Sequence, residues 1–191
     1  ALTHESSLHF SREEMEMTAN KTTSDSVTLF PYFPDTPTFR YTHARYLDNH
    51  LRVDNYFADY IAMLEEDGVL DDTFIFYFGD HGGVLPRGKG YAYENGLHVP
   101  LVIYVPKNWK HLVDADYGAR IDGFVSFIDF APTILKLAGI DIPPHMDGKP
   151  FLGAGVSMEE VNRRNEVFSY ADRFDEKIDQ VRAVSYTHLR A

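Results

Sequence analysis

Two stretches, TFIFYF over Thr73–Phe78 and VPLVIYVP over Val99–Pro106, are continuous runs of aromatic, β-branched and aliphatic residues separated by a polar, glycine-rich segment. A strand that is apolar at every position needs cover on both faces, which suits a parallel sheet with helices above and below it. The flanking sequence supplies those helices. Leu47, Leu51, Phe57, Ile61 and Leu64 recur at helical spacing and predict an amphipathic helix over residues 42–67 with one buried face, followed by Gly68 as a left-handed stop. In DGFVSFIDFAPTILKLAG, a short strand or extended entry near Phe124–Phe127 leads into a helix from about Asp129, with Pro132 in its first turn and Gly139 at its end. SMEEVNRRNEVFSYADR predicts a short helix and then a strand at Glu166–Tyr170. Pro31, Pro34 and Pro37 predict an extended connector, and residues 11–30, polar and without a period, read as a surface excursion. Helix and strand alternate with open connections, so the expected fold class is α/β, with part of a mixed, mostly parallel sheet flanked by helices.

Charge narrows the partners. The 191 residues carry 18 Lys and Arg against 29 Asp and Glu, a net charge of -11, which argues against nucleic acid and anionic membrane surfaces, since both require a basic face. An anionic ligand must therefore be met by a local group of cations. There is no cysteine, so disulfides and thiolate metal sites are excluded and any metal is held by oxygen and nitrogen. No signal peptide is visible and no apolar stretch is long enough to span a bilayer. The chain opens at Ala1, which suggests a processed chain or a fragment.

The segment between the two apolar runs, GDHGGVLPRGKGYAYENGLH, concentrates the candidate chemistry. Asp80 and His81 follow the first run directly, at the end of a predicted strand, where ligands gather in open α/β sheets. A carboxylate there can hold a hard divalent cation, and the imidazole suits zinc or can donate to an anion. The plainer alternative is that Asp80 caps a helix and His81 lines a loop. Arg87 and Lys89 sit two residues apart, so in an extended loop their side chains point the same way and form a clamp for sulfate or phosphate. Taken singly, each is an ordinary surface charge. His98 stands at the rim of this segment, while His4 and His9 have no such company.

FGDHGGVLPRGKGYAYENGLHVPLVIYVP, with EDGVLDDTFIFYF before it and VSFIDFAPTILKLAGIDIP after it, resembles the sulfatase family of the alkaline phosphatase superfamily. PYFPDTP is similar to the branch containing N-sulfoglucosamine sulfohydrolase and bacterial glycan sulfatases. The resemblance implies that Asp80 and His81 are a pair of calcium ligands, that Lys89 contacts sulfate, and that His4 hydrogen-bonds the sulfate or the leaving group. Arg87 and His98 fall where substrate contacts vary. His81 stands where the family more often has Asn, which leaves two roles open for it: calcium ligand, or donor to the sulfate. The resemblance also implies a formylglycine nucleophile, made from Cys or Ser in a Cys/Ser-x-Pro/Ala-x-Arg motif, and a first pair of acidic metal ligands, both in an N-terminal half. We expect the chain to lack both motifs and to be the C-terminal part of a sulfatase without its nucleophile, inactive by itself.

On that reading, residues 1–155 belong to the α/β catalytic domain and 156–191 begin a small antiparallel C-terminal subdomain, with 185–191 read as non-native sequence. The implied substrate is a sulfated glycan or other sulfated small molecule, and the implied location is periplasmic, secreted or lysosomal. Two rivals remain. One is a metal-dependent phosphodiesterase or phosphoethanolamine transferase of the same superfamily, using an unmodified Thr or Ser. The other is a non-catalytic anion- or glycan-binding module.

Overall fold

The computed structural model describes residues 9–17, 21–171 and 182–187. They fall into two compact units: residues up to Gly68 together with Gly79–Val99, and Val69–Phe78 together with the chain from Pro100 onward.

In the first unit, the polar N-terminal stretch holds a short helix, α1 (Arg12–Met17). Ser11 and Glu14 close it reciprocally: the Glu14 backbone N–H donates to Ser11 Oγ at 3.1 Å and the Ser11 N–H to Glu14 Oε2 at 2.6 Å. The long helix α2 (Pro37–Glu66) starts upstream of the apolar period that predicts it from residue 42. Its start is set by capping instead: Thr36 Oγ1 accepts from the Phe39 N–H at 3.2 Å, and Pro37 occupies the first turn, where its missing N–H costs nothing. Gly68 ends it at φ 69°, as the sequence indicates.

The buried positions of α2 are Tyr41, His43, Ala44 and Asn49. The face predicted to be buried is not: Leu47 and Leu51 are 38% and 53% exposed, and Phe57, Ile61 and Leu64 are half-buried. Arg40 anchors the N-terminal half by a fork on Asp35, with Nε–Oδ1 2.5 Å and Nη2–Oδ2 2.9 Å, and by the carbonyls of Ser24 and Val27. A four-residue helix, α3 (Glu94–Leu97), completes the unit.

His43 is buried against Phe33, with its Nδ1 lacking a hydrogen-bond partner. Burial penalises the charged ring and pushes its pKa below the ordinary histidine value. The unfolded chain then takes up this proton at higher pH than the folded chain. Stability is therefore complete above the ordinary value of about 6.5 and is lost as the pH falls from there toward the folded pKa. Urea midpoints should decline over that window, and His43→Leu should flatten the decline; an unchanged slope would remove His43 as the cause.

In the second unit, β1 (Ile75–Phe78) and β2 (Leu101–Tyr104) pair antiparallel, in the register Ile75–Tyr104 through Phe78–Leu101. The parallel pairing expected of these strands is not seen among the described residues. The chain leaves β1 and re-enters at the adjacent end of β2, and a connection that closes on one end of a pair gives opposite strand directions. On one face Phe78 is exposed beside half-buried neighbours, and on the other Ile75, Tyr77 and Tyr104 are half-buried. Phe76, Leu101 and Ile103 pack with Phe74 and Val105 against Val113, Phe151, Leu152, Met158 and Val161, whereas Val102 is 61% exposed.

Residues Phe124–Ser126 are irregular rather than a strand and run through a 3-10 turn, Phe127–Asp129, into α4 (Phe130–Leu137). Asp129 organises this entry, accepting from the Ser126 N–H at 2.9 Å and the Lys149 N–H at 2.8 Å. Fully buried Thr133 donates to the Asp129 carbonyl at 2.6 Å and accepts from the Phe151 N–H at 3.0 Å. Thr133→Val keeps the shape but strands a buried N–H, so unfolding free energy should fall by about 1–3 kcal/mol in a urea titration.

Beyond α5 (Met158–Asn162), β3 (Glu166–Ala171) pairs antiparallel with β4 (Arg182–Thr187). Ser185, Tyr186 and Thr187, read from sequence as non-native, lie opposite Phe168, Val167 and Glu166 in that ladder.

Candidate functional site

The loop of residues 79–99 is folded tightly on itself. The Gly82 N–H donates to the Gly96 carbonyl at 3.0 Å and the Lys89 N–H to the Gly83 carbonyl at 2.8 Å. Two consecutive turns build its tip. In the first, the Gly88 N–H reaches the Leu85 carbonyl at 3.0 Å across Pro86 and Arg87; in the second, the Tyr91 N–H reaches the Gly88 carbonyl at 3.1 Å across Lys89 and Gly90. Arg87 and Gly90 both take positive φ, 66° and 78°, at the third position of their turns, the type II pattern. The extended conformation expected of Arg87–Lys89 is therefore corrected: a pair of turns cannot place the two side chains on one side by strand alternation. Gly82 is required for a different reason. It is buried, and a Cβ there would run into the backbone carbonyl of Asn95. Tyr46 of α2 seats the loop, its hydroxyl filling the space where a side chain on Gly83 would stand, and burial pushes that phenol's pKa up.

Asp80 presents its carboxylate outward, its side chain 84% exposed, with Oδ2 3.6 Å from His81 Nε2. His81 Nδ1 lies 2.8 Å from the Gly82 carbonyl. A carbonyl only accepts, so Nδ1 carries the proton, and in the neutral ring Nε2, on the Asp80 side, carries the lone pair. Lys89 is half-buried. His98 is exposed and its Nδ1 sits 2.7 Å from Glu94 Oε1, one helical turn back. His4 lies outside the described residues, and His9 is exposed.

Arg87 has company that sequence reading does not suggest. Its guanidinium lies 4.5 Å from the ring centre of Tyr32 and 5.2 Å from that of Tyr93. Tyr32 in turn is tied to the loop by a hydrogen bond between its hydroxyl and Asn95 Nδ2.

For a calcium ion the fit is partial. The Asp80 carboxylate is a suitable hard ligand, but calcium takes about six to eight oxygens and an imidazole nitrogen better suits a borderline ion. Among the described residues no group of three or more His, Cys, Asp or Glu gathers to complete a site. Among them, too, no helix is long and apolar enough to cross a membrane.

β1 leads through Gly79 into the Asp80–His81 pair, and the glycine-folded loop that follows carries a half-buried lysine. The chain belongs to the sulfatase family: the Sulfatase family model matches residues 8–140, a span that contains the whole loop. Over 154 residues it is 36% identical to an ulvan-active sulfatase of Formosa agariphila, covering 81% of this chain and 24% of that relative. Over 118 residues it is 31% identical to the N-sulphoglucosamine sulphohydrolase of Homo sapiens, covering 61% of this chain and 22% of that relative. A solved structure of a protein in complex with its substrate D-glucosamine-2-N,6-O-disulfate shares the fold, with a TM-score of 0.62 at 22% identity over 81% of this chain and 32% of that one. The chain spans about a quarter of the length of these curated relatives.

One expectation about the nucleophile needs correction. Ser169-Tyr170-Ala171-Asp172-Arg173 fits the letters Cys/Ser-x-Pro/Ala-x-Arg. Ser169, however, lies within β3 with its backbone opposite Val184, and the string falls beyond the residues the family model matches. Asp172 and Arg173 are outside the described residues. No catalytic role is assigned to it.

Proposed function

We propose that this chain supplies the sulfate-holding part of a sulfatase that hydrolyses a sulfuric ester or N-sulfo group of a carbohydrate. The observation that carries the reading is the loop of residues 79–99: inside the family match, it sets the Asp80–His81 pair and half-buried Lys89 on one glycine-folded segment. The relatives that act on ulvan and on sulfated glucosamine support a sulfated glycan as substrate.

In this reading the Lys89 ammonium faces the non-bridging sulfate oxygens, where negative charge must be held as the bond to sulfur changes. Asp80 would hold the calcium ion, whose chemistry there would be to polarise the sulfate. The Nδ1–H of His81 is directed to the Gly82 carbonyl, which turns Nε2 toward Asp80. In this reading His81 serves beside Asp80 as a ligand, a role that the Nδ1 bond to the Gly82 carbonyl supports. His4 contacts the sulfate or leaving group, and a formylglycine from outside the described residues is the nucleophile. The protein works in a periplasmic, secreted or lysosomal setting, and β1 and β2 belong to the wider, mostly parallel sheet of the catalytic domain.

The test is sulfate release from sulfated mono- and disaccharides by the whole protein, with a phosphate diester as control. Preference for the phosphate ester would overturn the reading. The 191 residues by themselves should release no sulfate, and measurable release from them would place the nucleophile within this chain.

A further inference from the structure

Arg87 is held in a way that loop architecture does not explain. It occupies the third position of its turn at φ 66°, a conformation that favours glycine and that the next turn fills with Gly90. For a residue with a Cβ the left-handed region costs about 1–2 kcal/mol. The turn's hydrogen bond, from Gly88 N–H to the Leu85 carbonyl, is between backbone groups and would survive with glycine there. What the arginine adds is a guanidinium over Tyr32 on one ring contact and over Tyr93 on another, at 4.5 and 5.2 Å. The first of these rings is fixed by its hydrogen bond to Asn95 and by stacking on Phe30, at 5.5 Å and 4°. Tyr93 and Phe30 are themselves exposed, so this cluster faces solvent rather than a core.

A cation–π contact uses the charge of a guanidinium and not its N–H donors. Its N–H donors lie in the plane and point out from the edge, in a fork that matches a pair of acceptor oxygens. Arg87 is exposed, so that edge is open to a ligand. Clasping also removes most of the rotamer freedom that a long side chain loses on binding, which makes the fork pre-organised. Backbone strain, aromatic clasp and open edge therefore converge on ligand recognition.

We infer that Tyr32, Arg87 and Tyr93 form a specificity subsite that binds a second acidic group, carboxylate or sulfate, on the glycan whose sulfate is held by Lys89. This rests on the sulfatase reading above. It assigns the two cations of the loop different tasks: Lys89, half-buried, serves the group that reacts, and Arg87, exposed and clasped, reads the neighbouring group that does not. Tyr93 and Phe30 are exposed and add apolar surface beside the fork for the intervening sugar.

The test is calorimetric titration of the whole protein with three probes. One is a sulfated disaccharide containing a uronic acid, one is the same disaccharide with its carboxylate reduced to an alcohol, and one is a disulfated disaccharide without uronate. Wild-type protein should bind at least one of the two doubly acidic probes about tenfold more tightly than the reduced one, as expected for a charge-assisted fork, and the probe preferred identifies the acidic group. Arg87→Ala should bring that ratio to about one, Arg87→Lys should lose most of it, and Tyr93→Phe, which keeps the ring, should retain it. Binding of all three probes with a ratio that Arg87→Ala leaves unchanged would overturn the subsite while leaving the sulfatase reading standing. Failure of the wild-type protein to bind any of the three would overturn both.

Discussion

Lys89→Ala should lower sulfate release by the whole protein at least about tenfold, with the loss in kcat rather than in KM. A donor that meets charge developing on the reacting group is worth more in the transition state than in the ground state, so its removal slows turnover more than it weakens binding. Two structural facts support that proposed role for Lys89. It is half-buried, so its charge is less screened than that of an exposed lysine, and its backbone is fixed by the bond to Gly83. Lys89→Arg should recover part of the loss by keeping the charge, although its fork differs from a point charge. A wild-type rate in Lys89→Ala would remove this residue from the site.

Gly82→Ala should disable the site without unfolding the protein. The added Cβ meets the Asn95 carbonyl, a backbone group that cannot rotate away, so the loop must open at its base. Opening breaks the bond from the Gly82 N–H to Gly96 and shifts His81, the chain neighbour of Gly82, and Asp80 before it. A displacement of about 1 Å at positioning residues costs on the order of a hundredfold in rate, and overpacking of this kind costs about 1–3 kcal/mol in stability. Near-wild-type activity, with stability lowered only slightly, would show that the loop adapts and that its tight closure is not what positions the chemistry.

The candidate site was more legible than its geometry. Asp80, His81 and Lys89 stand out because residue type and position after a strand are local facts, and the helix ends at Gly68 and Gly139 follow from local backbone preference in the same way. Arg87 was visible as a cation, but its partners were not. Tyr32 lies far from it in sequence, in a proline-rich connector whose aromatics carry no signal of what they touch. The start of α2 was missed for a related reason: Thr36 and Pro37 set it by capping, while the apolar period begins only later.

By itself, the sequence determined the kind of chemistry this chain can hold. A strongly acidic chain without cysteine, with two cations and an Asp-His pair in one glycine-rich loop between two apolar strands, restricts both ligand and metal chemistry, and its motifs identify the sulfatase family. The tertiary structure decided the direction in which β1 and β2 pair, the double turn that carries Arg87 and Lys89, and the face of α2 that is buried. Composition and periodicity report which residues prefer to leave water. Strand direction and ring-to-cation contacts depend on which distant segments meet, and that is settled by closure of the whole chain.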